Sequence, residues 1–201
     1  MELPVDRDKK TDLSVPVLDA IYLRRAVRSY SPKKVEARIV NKLIDAAIQA
    51  PSAMNSQPWA FVVIQNPQML HDLSESAKVF LAKNDHWSSQ SEHFSQLLSD
   101  SKFDIFYGAT TLIVICAKED GFGPREDCYL AGENLMLAAT AFGIGSCPIG
   151  FARDVLGTKE FREKFSIAEG YVPVLPIIIG YPSTLPSKPE RKDPLILKWA
   201  N

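Results

Sequence analysis

Three arginines within five residues, Arg24, Arg25 and Arg28 of Arg-Arg-Ala-Val-Arg-Ser-Tyr, concentrate fixed positive charge where the chain leaves a short apolar stretch. Their forked guanidinium donors can neutralise a phosphate dianion with directed hydrogen bonds, which lysines on flexible stems do less precisely. A second stretch, Ala50-Pro-Ser-Ala-Met-Asn-Ser-Gln-Pro-Trp59, is a loop of small and polar residues that feeds into an apolar run. Together the two point to a phosphate-bearing cofactor. Taken alone, the arginine pair is better read as a solvated helix end that complements the macrodipole.

Other chemistries find no support in the chain. Gly143-Ile-Gly145 is followed by Pro148, and Gly121-Phe-Gly123 by Glu126, where a dinucleotide fingerprint needs its third glycine. A Gly-Lys-Ser/Thr phosphate loop, a Gly-x-Ser-x-Gly elbow and a His-Glu-x-x-His metal helix are absent from the sequence. His86 and His93 read as solvated or core residues rather than metal ligands, so no metal site is expected. The three cysteines, Cys116, Cys128 and Cys147, form no Cys-x-x-Cys pair and read as small core residues. With no nucleophile or general base in evidence, the chain is either a binding module or a protein whose cofactor performs the chemistry.

The elements that must position these residues follow from periodicity. Val17 to Leu23 reads as a short helix delivering Arg24 and Arg25 at its C-terminal end. Ile39, Leu43, Ala46, Ala47 and Ala50 recur at helical spacing until Pro51 stops them. Trp59 to Ile64 and Thr111 to Ala117 read as strands buried on both faces. Residues 67–104 read as helices divided by a polar patch at 84–91. Residues 126–142 form a helix apolar around most of its circumference, expected in the core or against a second subunit. A tight turn and short strand over Gly143 to Gly150, two small helices and a last strand ending at Gly180 complete the set. Pro173 and Pro176 predict an edge or an irregularity in that last strand.

At 201 residues and 46% hydrophobic, the chain suits one domain with a substantial core. Its net charge of -1, from 23 basic and 24 acidic residues, gives no nucleic-acid-binding surface. The start lacks the apolar core of a signal peptide and no run is long enough to span a bilayer, so a cytoplasmic protein is expected.

The series Arg24-Arg25-Ala-Val-Arg28-Ser-Tyr, Pro51-Ser-Ala-Met-Asn55-Ser-Gln57-Pro-Trp59, Glu133-Asn134-Leu-Met-Leu-Ala-Ala, Gly143-Ile-Gly-Ser-Cys-Pro-Ile-Gly150, Gly180-Tyr-Pro and Arg191-Lys192 resembles the flavin-dependent nitroreductase family, in the family's order and over nearly the whole chain. The resemblance implies an α+β fold with a central mixed or antiparallel sheet flanked by helices, in an intertwined homodimer holding FMN at the subunit interface. It implies one FMN-binding domain over 1–201, with a polar leader at 1–14 and an extended C-terminal arm at 182–201. By the same resemblance, Arg24 and Arg25 would meet the phosphate and ribityl chain, with Arg191 and Lys192 reaching that phosphate from the arm. Ala26 stands where many relatives have serine. Arg28 would lie near the N1/O2 edge of the flavin, where a cation stabilises the reduced ring. Pro51, Ser52, Ala53 and Asn55 would come from the partner, and Pro148, Ile149 and Gly150 match the segment whose backbone amide approaches N5.

The implied activity is ping-pong transfer of hydride from NAD(P)H, through the flavin, to a nitroaromatic, quinone or related small acceptor. Reductive dehalogenation, enone reduction, flavin fragmentation and a non-catalytic flavin-holding role are the alternatives on the same fold. No residue is expected to act as a catalytic group beyond the flavin itself. The aromatics Trp87, Phe94, Phe103 and Phe106, with His93, are candidates for a pocket wall within 83–106, or for core.

Overall fold

Trp59–Ile64 (β1), Thr111–Lys118 (β2), Gly145–Pro148 (β3) and Tyr171–Gly180 (β4) pair into one sheet in the order β1-β2-β4-β3. Every pair is antiparallel. The computed structural model describes residues 15–83 and 92–200. Around the sheet lie Val17–Leu23 (α1), Ala37–Ala47 (α2), Pro67–Ala82 (α3), Glu92–Ser99 (α4), Pro124–Ala141 (α5), Arg153–Leu156 (α6) and Lys159–Lys164 (α7).

Alternation along the strands splits the core in two, because successive side chains point to opposite faces of a sheet. Ile113, Ile115, Ile177 and Ile179 meet Val40, Leu43 and Ala47 of α2 and Ala131, Leu135 and Ala139 of α5. Leu112, Val114, Cys116, Cys147 and Ile178 face Leu70, Leu73 and Ala77 of α3 together with Val155, Leu156 and Phe161. Of the helical stripe seen in the sequence, Leu43 and Ala47 are fully buried and Ile39 partly so, and Val40, outside that stripe, joins them in the core. Asn66 caps α3 by accepting from the Met69 amide at 3.0 Å, with Pro67 in the first turn where its missing N–H costs nothing.

The prolines of β4 act as expected. Ile115 pairs with Leu175 and Cys116 with Pro173, so Val174 is an extra, unpaired residue. This bulge inverts the parity of the strand: Leu175, Ile177 and Ile179 face α5 on one side of it, and Val174 and Val172 do so on the other. β3 pairs only with 177–180, which leaves the proline-bearing half of β4 an edge on that side. β1 departs from the sequence reading. It is an edge strand paired only to β2, its residues are mostly half-buried and Val63 is exposed. Both of its faces touch the core, Trp59 and Phe61 packing on the α5 side and Ala60, Val62 and Ile64 on the α3 side, and the open edge leaves the strand half-buried.

All three cysteines are buried and free. Burial pushes the Cys116 thiol up to about 11 and the Cys128 thiol to about 12. Phe106 is a core residue, only 1% exposed, rather than a pocket wall. Trp87, the leader 1–14, and the side chains of His93 and Phe94 lie outside the described residues.

Candidate functional site

Past the last turn of α1, the arginine segment becomes extended and runs beside β3. Ala26 forms a parallel bridge with Ser146, and the Val27 amide donates to the Ser146 carbonyl at 3.0 Å. Tyr30 then bridges Pro182, and the Ser31 amide donates to the Tyr181 carbonyl at 2.8 Å. Two glycines make this approach possible. A Cβ on Gly145 would lie 2.9 Å from the Val27 side chain, and one on Gly180 would lie 2.7 Å from the Tyr30 ring.

Extended backbone sends alternate side chains to opposite sides, so the arginines do not act as one cluster. Arg25 folds back on α1, its Nη1 donating to the carbonyls of Tyr22 at 2.7 Å and Arg24 at 2.8 Å. That is the helix-end role weighed above. Arg25 and Val27 also line a cavity of about 400 Å³ with Ser146, whose buried Oγ has no hydrogen-bond partner among the described residues. Arg24 and Arg28 turn instead toward Cys147. Burial raises that thiol's pKa, and the positive charges of Arg28 and then Arg24 pull it back down. Arg24 Nε lies 3.5 Å from Oε1 of the half-exposed Glu133 on α5. The Arg28 guanidinium sits over the Tyr107 ring, 5.8 Å from its centroid.

β3 carries the segment on to Pro148, Ile149 and Gly150. Proline has no amide proton, and the Ile149 amide donates to the Pro176 carbonyl at 2.9 Å. Gly150 is exposed, and a Cβ placed on it would meet nothing within 4 Å. Of the three, Gly150 is therefore the residue whose amide can serve a ligand in open space.

The loop after α2 is built separately. Both carboxylate oxygens of Asp127, a buried residue in the first turn of α5, accept from the Ala53 amide, at 3.1 and 3.3 Å. Ser52 Oγ accepts from the Gln57 amide at 3.0 Å, and Asn55 Oδ1 accepts from Gln57 Nε2 at 3.1 Å. Met54, Asn55 and Gln57 all have positive φ, a conformation costing bulky residues about 1–3 kcal/mol. Pro51, Ser52, Ala53 and Asn55 are thus presented on a strained, pinned loop. Asp127 was not singled out in the sequence, where an acidic residue opening a helix looks like ordinary dipole compensation.

This loop enters β1 where Trp59 pairs with Ala117. The arginine segment flanks the other end of the sheet, where Thr111 pairs with Ile179 and Gly145 with Gly180. At about 3.4 Å per residue those ends are roughly 20 Å apart. One chain therefore unites Arg24, Ala26 and Arg28 with Pro148 to Gly150, and holds Pro51 to Asn55 at a distance. Arg191 and Lys192 stand exposed on the arm. His71 is exposed on α3. Among the described residues no three His, Cys, Asp or Glu side chains could hold a metal ion, and no helix is long and apolar enough to cross a membrane.

Comparison with known proteins adds to this geometry. Residues 21–181 match the model of the Nitroreductase family. A Methanothermobacter thermautotrophicus protein provisionally named NADH dehydrogenase/NAD(P)H nitroreductase is 30% identical over 89% of this chain and 83% of its own. Among solved structures, a nitroreductase with bound FMN from Bacteroides fragilis superposes with a TM-score of 0.80 at 27% identity, over 93% of this chain and all of that one. An FMN-dependent nitroreductase from Clostridium difficile R20291 does so at 0.75 and 26%, over 90% of this chain and 97% of that one.

Proposed function

The chain belongs to the nitroreductase family, and from that premise we propose that it is an FMN-dependent NAD(P)H oxidoreductase that reduces a nitroaromatic, quinone or related small acceptor by ping-pong turnover. The observation that carries the reading is the single edge made by the arginine segment and β3. It offers guanidinium donors at one end and an open backbone amide at the other.

That donor set fits FMN. Arg24 would neutralise the phosphate from this chain, and Arg191 and Lys192 of the arm would add charge from another direction. Arg25, partly spent on the end of α1, would contribute through its remaining N–H groups. Ala26 leaves room beside the ribityl chain without a side-chain hydrogen bond. Arg28 would supply positive charge at the N1/O2 edge, and the Gly150 amide would donate toward N5. The open space at Gly150 is what a flat ring lying against backbone requires.

When bound, FMN supplies the redox chemistry, taking hydride from the nicotinamide and passing it to an acceptor that enters after the oxidised nicotinamide leaves. The chain's own work is position and electrostatics. Arg28 would favour the reduced, negatively charged ring, and the backbone at Gly150 would help to hold it. Pro51, Ser52, Ala53 and Asn55 cannot reach their own chain's arginine edge, so we assign them to the partner's cofactor in a homodimer. In this reading residues 1–201 act as one unit, with 182–201 as the arm.

The test is the visible spectrum of the purified protein, recorded anaerobically before and after NADH or NADPH. A flavin spectrum that bleaches with donor and returns with a nitroaromatic or quinone is the expected result. A protein that takes up no FMN overturns the reading. One that binds FMN and stays oxidised with both donors is a flavin-holding protein instead.

A further inference from the structure

Tyr107 has no place in the function described so far, and its geometry is costly. It sits at φ +54°, followed by Gly108 at +71°, so a bulky aromatic occupies a backbone position suited to glycine or asparagine. The surrounding structure over-determines that conformation. The two carboxylate oxygens of Asp104 accept from the amides of Phe106 at 2.9 Å and Gly108 at 2.8 Å, and the Asp104 carbonyl accepts from the Tyr107 amide at 2.9 Å. The same loop is tied to α3 twice. Ser74 Oγ accepts from the Ile105 amide at 3.1 Å, and the buried Lys78 donates to the carbonyls of Phe103 at 3.1 Å and Asp100 at 3.3 Å.

All this bracing aims one ring. Tyr107 lies edge-on to Phe103, with centroids 5.8 Å apart, and presents its face to the Arg28 guanidinium. Burial raises the Tyr107 phenol and the Cys147 thiol, and the charge of Arg28 pulls both back down. An arginine on an extended, edge-lying segment has long side-chain freedom, and a ring face at a fixed position removes it.

Resting on the FMN reading above, we propose that Tyr107 is the positioning residue that fixes the Arg28 guanidinium against the flavin and so sets the flavin's midpoint potential. A freed guanidinium spends part of its time in water, and the reduced ring loses charge stabilisation that the oxidised ring never needed.

The experiment compares the wild-type protein with Tyr107→Phe, Tyr107→Leu and Tyr107→Asn, each stripped of flavin and titrated with FMN, then poised against a reference dye. Tyr107→Phe keeps the ring face and is expected at the wild-type potential. Tyr107→Leu loses about tenfold in preference for reduced over oxidised FMN, which for a two-electron couple is a potential lower by about 30 mV. Tyr107→Asn suits the left-handed backbone and carries the test should the leucine variant not fold. Combined with Arg28→Gln, either change produces no further shift. A wild-type potential in the ringless variants, or a shift that adds in full to that of Arg28→Gln, overturns the proposal. An equal fall in Tyr107→Phe also overturns it, since the hydroxyl and not the ring face would then be responsible. Failure of the wild-type protein to bind FMN is a different result and removes the functional reading itself.

Discussion

Arg24 and Arg25 are neighbours in sequence and unlike in use. Arg25 spends Nη1 on two carbonyls of its own helix end, whereas Arg24 is steadied by the half-exposed Glu133 at 3.5 Å and keeps donors for a ligand. Arg24→Ala should therefore cost FMN about 1.5–3 kcal/mol of binding, roughly ten- to a hundredfold in Kd by flavin fluorescence titration. Arg25→Ala should show mainly as a lower melting temperature. Equal losses of FMN affinity in the two variants would contradict the division. The cysteines give a second residue-scale expectation. Buried and with thiol pKa values of about 11 and 12, Cys116 and Cys128 should resist a thiol reagent in the native protein at pH 8 and react once it is unfolded. Because burial raises their folded pKa values, their contribution to stability is full below the unfolded thiol value near 8.5. It declines as pH rises from there toward the folded values, because the unfolded chain ionises first. Denaturant midpoints measured from pH 8 to pH 10 should fall accordingly.

At the scale of elements, the contact that builds the site is the one between the arginine segment and β3, and it depends on an absent side chain. Gly145→Ala places a Cβ 2.9 Å from Val27 carbons that are themselves close to the backbone. It should cost about 1–3 kcal/mol of stability and weaken FMN binding as the segment shifts. Intact binding would mean that the bridge does not position the arginines. The loop at Pro51 to Gln57 depends on Asp127, and Asp127→Ala strands the Ala53 amide, at about 1–3 kcal/mol. These two examples mark what the sequence could convey. Helical stripes such as that through Leu43 and Ala47, and the irregularity forced by Pro173, were legible because local spacing alone determines them. The basic segment and the small-residue loop stood out by composition alone. The pairing of Ala26 with Ser146, the pin from Asp127 to Ala53 and the left-handed Tyr107 were not, since each joins positions far apart in the chain and leaves no local period. β1 was read as fully buried because its apolar run reports contact with the core on both faces and does not reveal that the strand lies at the sheet edge.

For the whole molecule, the exposed apolar surface makes the argument for a second copy. α1 presents Val17, Leu18, Ile21, Tyr22 and Leu23 to solvent, and the arm presents Leu195, Ile196, Leu197 and Trp199, with Leu197 90% exposed and Trp199 78%. Apolar residues gathered this densely on one short helix and one extended tail mark an interaction surface rather than chance exposure. The separation of roughly 20 Å between the loop at Pro51 to Asn55 and the arginine edge makes the same demand from the side of function. The homodimer proposed above would satisfy both at once if it buried α1 and the arm and brought each loop to the other chain's cofactor. Ile21→Glu tests the coupling. Because Ile21 is 47% exposed in one chain, each copy would lose about half of the roughly 1.5–3 kcal/mol of a full burial, weakening dimerisation about tenfold to a hundredfold. Sedimentation velocity at micromolar protein should then show the monomer, and FMN should leave with the partner although no proposed FMN ligand of this chain has changed. A monomer that keeps its FMN would place the whole cofactor site within one chain, and would return the strained loop at Met54 to Gln57 to a purely structural role.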